Sequence, residues 1–317
     1  MRRILIAVTL SLVALRFAMS LAGQEQPARP PITGITHARL WSADPHKALD
    51  FYTKILGLTP RDAGCVGTIR PCFILSEHQQ IALAQPTPAS PAKLLAEIAF
   101  ATPDAVQMHR YLQAHNINVS PVTRDFNGTV HFSLLDPEGI SITFAQPPQH
   151  RPFVPPPAQI SSRLIHAGFI VRDRTATEHF YREILGFRPY WHGGMKDDKT
   201  DWVSMQVPDG TDWLEFMVNV EPNPDQRLRG IMNHIALGVP DIHAAEQQLL
   251  KNGAQLSEKS QIGRDGKWQL NLYDPDLTRI EFMEFTPVQK PCCSEFTGPH
   301  PGPQSGPQSP SKAPAKP

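Results

Sequence analysis

HAGFIVRDRTATEHFYREILGFRP (166–189) decides the fold, because its second half is written twice in the chain. FYREILGFRP (180–189) is a near copy of FYTKILGLTP (51–60), 129 residues earlier. LYDPDLTRIEF (272–282) pairs in the same way with LLDPEGISITF (134–144). Repetition on this scale means that one supersecondary unit has been reused. It splits the chain into halves at 33–147 and 161–286.

Each half divides again into a strand, an amphipathic helix and further strands. The third unit reads as strand Leu164–Val171, helix Thr175–Leu185, then strands around Arg188–Trp191, Trp202–Val207 and Trp213–Val218. PDGTD (208–212) supplies the last hairpin turn. The fourth reads as Met232–Val239, helix Ile242–Asn252, then strands near Gln255–Glu258, Trp268–Tyr273 and Arg279–Phe285. Gly186 and Gly253 close the two helices as C-caps. The first half offers strand Thr36–Ser42, helix His46–Leu56, strand Ala96–Ala101 and helix Ala105–His115. Four βαβββ modules, an α+β class, account for the folded part.

Four polar residues interrupt the apolar strands of the second half. They are His166 in LIHAGFIV, Glu215 in DWLEFMV, His234 in MNHIALGV and Glu281 in TRIEFMEF, separated by 49, 19 and 47 residues. A strand with a buried face carries an imidazole or carboxylate only with a partner, since an unpaired buried charge is costly. Two imidazoles and two carboxylates converging on one point suit a divalent cation: Zn, Ni, Fe or Mn.

Composition narrows the field. The 317 residues, 40% hydrophobic and 19% charged, describe a globular chain long enough for two domains. A formal net charge of zero argues against nucleic acid or anionic lipid as partner and leaves a small molecule. Residues 1–22 read as an export signal. Arg2 and Arg3 open it, Ile4 to Leu15 form an apolar core, and Ser20-Leu21-Ala22 offers a cleavage site. Arg16 stops the apolar run at about 12 residues, against about 20 for a membrane span. The expectation is therefore a periplasmic or secreted protein without stable membrane insertion, the alternative being an uncleaved N-terminal anchor. In an oxidising compartment Cys65 and Cys72 can form a disulfide, whereas adjacent Cys292 and Cys293 read as structural or incidental. QPPQHRPFVPPPAQ (146–159) reads as a stiff linker, centred on 148–160, and the Pro-rich stretch 287–317 as a disordered tail.

The stretches HAGFIVRDRTATEHFYREILGF (166–187) and GIMNHIALGVPDI (230–242) resemble the two signatures of the glyoxalase, or vicinal oxygen chelate, superfamily. Ala167 and Asn233 depart mildly from its pattern. The resemblance implies βαβββ modules paired into two cupped mixed-sheet domains around a divalent metal. It also implies His166, Glu215, His234 and Glu281 as ligands, one for one. In the first half His37 matches the first ligand, but Ala82, Glu97 and Thr143 occupy the other three positions. That half is expected to keep the fold without the metal, serving packing, dimer contact or the shaping of a substrate opening. A homodimer stays open.

Three activities follow from the resemblance. Glyoxalase-, lyase- or epimerase-like proton transfer fits the four-residue set, with Glu281 or Glu215 as the base. Asn219 matches a substrate-contact position, but Ile170 stands near the place of the usual first-strand Arg. Extradiol ring cleavage fits the two-half architecture, but SEKSQIGRDGKWQLNLYDP (257–275) lacks the upstream His of that motif. A non-catalytic, resistance-type binder would not need the four ligands. The order is proton transfer first, dioxygenase second, binder third. His192 and Lys199, in a Gly-bearing loop (190–201), are equally a substrate cover or plain solvated loop.

Overall fold

A computed structural model describes residues 27–62, 65, 71–86, 94–147 and 153–303. The segment read as an export signal and the last residues from 304 lie outside them.

The first half forms strands β1 (Gly34–Trp41), β2 (Thr59–Arg61), β3 (Cys72–Ile74) and β4 (Gln80–Ala84), then β5 (Leu95–Ala101), β6 (Thr123–Arg124), β7 (Val130–Leu135) and β8 (Ser141–Gln146). The second half repeats them as β9 (Leu164–Ile170), β10 (Arg188–Gly193), β11 (Trp202–Gln206), β12 (Trp213–Met217), β13 (His234–Val239), β14 (Gln261–Ile262), β15 (Trp268–Tyr273) and β16 (Arg279–Glu284). Each set makes one eight-stranded mixed sheet. The orders are β2-β3-β4-β1-β5-β8-β7-β6 and β10-β11-β12-β9-β13-β16-β15-β14. The two first strands of a half lie antiparallel at the sheet centre, and each pairs in parallel with the last strand of its own module. This is the α+β fold of four βαβββ modules in two sheets that the repeats demand.

One helix per module packs on the sheets, and Asp44, Asp104, Asp173 and Asp241 cap the four N-termini. Each aspartate side chain accepts backbone N–H groups that the first turn leaves unpaired. In both FYxxILG copies the helix widens, with Leu56 N–H donating to the Phe51 carbonyl and Leu185 N–H to that of Phe180. The predicted helix over 46–56 is thus a short turn Pro45–Asp50 followed by this wider one, and the same holds after Arg174–Glu178. Gly186 and Gly253 are left-handed, at φ 77° and 92°, as helix-closing glycines should be. Gln255–Glu258 is not a strand; the edge position goes to β14. An additional helix, Gln226–Met232, precedes β13.

The repeats are bonded to one another across the halves. Tyr52, in the first FY copy, donates its hydroxyl to Asp274 Oδ2 in the last DP turn at 3.0 Å. Tyr181, in the second copy, donates to Asp136 Oδ2 in the first DP turn, also at 3.0 Å. Both rings are fully buried, so Asp136 and Asp274 do more than shape turns. The preceding phenylalanines are less alike: Phe180 is buried and Phe51 only half-buried.

Two further findings bear on the sequence reading, the first as expected and the second as a correction. Cys65 and Cys72 are bridged, with Cα atoms 5.9 Å apart. The chain beyond 287 does not leave the fold at once. Residues 287–303 run along the edge of β10, where Thr297 N–H donates to the Tyr190 carbonyl and Ser294 Oγ to that of His192. Aromatic Phe296 and the polar Ser294, Thr297 and His300 give that stretch partners that a count of prolines hides. The linker likewise docks at its end, where Gln159 bonds the carbonyls of Leu75 and Ser161.

Candidate metal centre

His166 sits on β9, Glu215 on β12, His234 on β13 and Glu281 on β16, which are four adjacent strands of one sheet. Register brings them together. Gly168 lies opposite both Glu215 and His234, and Ala236 lies opposite both His166 and Glu281. All four side chains therefore leave the same face around one point.

The two Nε2 atoms of His166 and His234 are 3.1 Å apart. Glu281 Oε2 lies 3.4 Å from His166 Nε2 and 3.6 Å from His234 Nε2, and Glu215 Oε2 lies 3.3 Å from the latter. One atom each from His166, Glu215 and His234 falls within 4.8 Å of the others, in a geometry that could hold a metal ion. Both imidazoles are fully buried, whereas the Glu215 side chain keeps 14% of its exposure and that of Glu281 4%. Gly168 makes room for this. A Cβ there would meet His234 Cε1 at 2.0 Å, so no larger residue is compatible with the imidazole.

Burial, then the Arg279 charge, holds His234 well below the usual histidine range, so it is neutral. Arg279 Nη2 donates to His234 Nε2 at 2.7 Å, which puts the imidazole proton on Nδ1. Nδ1 of His234 and of His166 is buried without a hydrogen-bond partner among the described residues. Burial alone would raise Glu281, but Arg279 and the two histidines bring it below the usual carboxylate range. The His234 nitrogen and the two carboxylates face one another beside the His166 imidazole, and two carboxylates so close repel unless a cation lies among them. Part of that charge is met by Arg279; the rest suits a divalent cation.

A cavity of about 610 Å³ opens above these residues. Trp191, Trp202 and Trp213 supply apolar wall, Glu215, Glu281 and Arg279 the polar floor, and Cys292 and Phe296 of the 287–303 segment one side. Trp213 packs against the His166 ring with centroids 4.7 Å apart. Behind that wall, Lys267 Nζ is caged by Trp213 at 4.6 Å, Phe296 at 5.0 Å and Tyr190 at 5.7 Å. Burial lowers its pKa to about 8, against the pull of Asp265, Glu281 and Glu215.

Residues 34–144 and 163–282 match the model of the Glyoxalase/Bleomycin resistance protein/Dioxygenase superfamily, well over half of the chain. The chain belongs to that superfamily. Among solved structures this superfamily member is similar to a variant of homoprotocatechuate 2,3-dioxygenase from B. fuscum. The TM-score is 0.63 at 20% identity, covering 87% of this chain and 76% of that one. The Arthrobacter globiformis homoprotocatechuate 2,3-dioxygenase gives 0.61 at 18% identity, covering 81% and 80%. An extradiol ring-cleaving dioxygenase from B. fuscum gives 0.61 at 18%, covering 87% and 77%. No curated protein matches the superfamily member by sequence. At these identities the likeness speaks for the fold.

Other expected site residues lie elsewhere. Asn219 is left-handed and bonds the Thr200 carbonyl and Asp201, tying down a loop instead of facing the cavity. His192 and Lys199 are exposed and line no part of the cavity, to which their loop contributes Met195. Arg279 was missed, although its position two residues before Glu281 puts it on the same strand face. The Cys292 segment had no sequence signal beyond its aromatic residue.

Among the described residues no helix is long and apolar enough to cross a membrane.

Proposed function

We propose that the protein is a divalent-metal-dependent enzyme that moves a proton on a small substrate held through vicinal oxygens. The observation that supports this most is the fourth donor: Glu215 Oε2 stands 3.3 Å from His234 Nε2 instead of turning away. A cation held by His166, Glu215, His234 and Glu281 would polarise the substrate oxygens and acidify the neighbouring C–H. The protein residues do the rest. His166 and His234 present their Nε2 atoms to the same point, 3.1 Å apart. Arg279 and His166 keep Glu281 ionised and anchored. Glu215, the more exposed carboxylate, faces the cavity and takes the proton at Oε2. The tryptophan wall excludes water and accepts a flat or apolar substrate body.

Extradiol ring cleavage is the second reading, favoured by the two histidines and Glu281, which form a two-His, one-carboxylate set below an aromatic cavity. The described cavity lining includes Tyr190 but no histidine.

Metal analysis of purified protein, then two assays, separates the readings. Solvent deuterium incorporation into α-hydroxy ketones and hemithioacetals, abolished by Glu215→Gln, is expected. Oxygen consumption with catechols, retained by Glu215→Gln, would sink proton transfer in favour of ring cleavage. Absence of bound metal under both conditions would sink both. Export is part of the proposal, and sizing the tagged precursor against the exported product tests it.

A further inference from the structure

The segment 287–303 is bonded to the fold along its length, from Val288 N–H on the Gly266 carbonyl to His300 on the Tyr190 hydroxyl, and its middle carries two joined cysteines. Cys292 and Cys293 form a disulfide between neighbours in sequence. Cys292 O accepts from Trp191 Nε1 at 3.2 Å, and Cys292 N–H donates to the Arg264 carbonyl at 2.8 Å. The same residue lines the cavity, with Gln289, Lys290 and Phe296 of the segment beside it. Cys293 is left-handed, at φ 72°, a conformation that a residue with a Cβ adopts only against steric resistance. Joining the two sulfurs closes a small ring that holds this backbone in place.

We propose that Cys292–Cys293 is a dithiol-reducible latch that fixes the 287–303 segment as a wall of the cavity. Three observations carry it. Cys293 is exposed, whereas Cys65 and Cys72 of the other bridge are buried, at 5% and 0% exposure. The Arg264 guanidinium, itself paired to Asp197, has Nη2 3.8 Å from Cys293 Sγ, where it stabilises a thiolate. The ring sits between the two segment contacts that border the cavity.

The exchange runs in two steps. One thiolate of an external dithiol attacks the exposed Cys293 sulfur. A mixed disulfide forms, the Cys292–Cys293 bond breaks, and Cys292 leaves as a thiolate. The second thiolate of the dithiol then attacks its own partner sulfur and expels the Cys293 thiolate beside Arg264. Two electrons pass to the protein, the dithiol leaves as a cyclic disulfide, and its two protons are shared with the released thiols. Cys293 is then free to leave the left-handed conformation, and the wall loosens. The latch stands whatever reaction the cavity performs.

The test titrates the full-length protein with mixtures of reduced and oxidised dithiothreitol. Differential alkylation reads each cysteine pair, and hydrogen exchange reads the amides of 287–303. Cys292 and Cys293 should become alkylated at a lower reduced fraction than Cys65 and Cys72. Exchange over 287–303 should then rise about tenfold or more. The Cys292→Ser/Cys293→Ser protein should show the fast exchange with and without reductant, and Arg264→Gln should demand more reductant. If both pairs open together, or if exchange in 287–303 is the same in the oxidised and reduced wild-type protein, the latch is overturned. These readouts need neither metal nor turnover, so the proposed reaction can fail without touching them.

Discussion

The two halves of the molecule place different side chains at one and the same point of the sheet. By register His37, Arg39, Ala82, Glu97 and Thr143 stand where His166, Gly168, Glu215, His234 and Glu281 stand in the second half. The first half keeps a buried polar cluster at that point. His37 Nε2 lies 2.9 Å from Glu97 Oε1, and Arg39 Nη1 lies 2.7 Å from Glu97 Oε2. The guanidinium grows from the backbone position that is glycine in the second half, and it brings the positive charge into the sheet covalently. With Gly168 in that place the second half has room for imidazole but supplies less charge of its own. Arg39 neutralises the first cluster from within, and the glycine at the matching position is one of four differences that leave the second cluster without that charge.

The most damaging test removes that distinction. Gly168→Arg should abolish metal binding, because the Cβ alone collides with His234. His234→Ala and Glu281→Ala should do the same, and Glu215→Ala should weaken binding least if the two-histidine, one-carboxylate reading holds. Calorimetric titration with Zn2+ or Mn2+ measures all four. Retained affinity in Gly168→Arg would break the comparison.

Next in size is the converse change. Arg39→Met leaves the buried Glu97 carboxylate with His37 and Thr143 alone, and removing one partner of a buried pair costs about 3–5 kcal/mol. Urea unfolding measures the loss, which added metal should not repair.

Acid separates the clusters further. Burial would raise Glu97, but His37, Arg39 and Thr143 hold its pKa at about 2, below its ordinary 4.5. A depressed carboxylate stabilises the fold above the unfolded value, and that stability drains away as pH falls from 4.5 toward 2. It amounts to something on the order of 3 kcal/mol. His234 is depressed below its ordinary 6.5, so its contribution is complete above 6.5 and declines as pH falls below it. Stability between roughly pH 3 and 7 should therefore fall in two steps. His234→Ala should remove the upper step and Glu97→Gln the lower. The smallest effect is expected from Tyr52→Phe or Tyr181→Phe, each losing a buried hydrogen bond worth about 1–2 kcal/mol. Equal losses at the two sites would confirm that the halves are held symmetrically.

Much of this was legible in the chain. The repeated FYxxILG and DP stretches give the modules because identical local sequences meet identical packing demands. His166, Glu215, His234 and Glu281 stand out because polar residues in apolar strands are rare. Arg39 and Arg279 did not stand out, since arginine near a strand end is ordinary unless its register is known. Tyr52 and Asp274 each looked like local features, and only three-dimensional proximity joins them. The segment after 287 was hidden by composition: proline removes backbone donors, yet Phe296 and a few side chains suffice to seat it on a ready-made edge. Asn219 misled because its spacing from Glu215 is right while its backbone turns away.

The Tyr52–Asp274 hydrogen bond joins residues 222 positions apart. During synthesis the first helix therefore emerges long before its partner turn exists, and so does the face of the first half that waits for the second. Contacts of such separation slow folding, because loop closure must precede any gain from them. A nascent first half carries an uncovered apolar surface and an unmatched buried hydroxyl until nearly the whole chain has been made. That interval is where a holding chaperone, or delayed folding across a membrane, would have the most to protect.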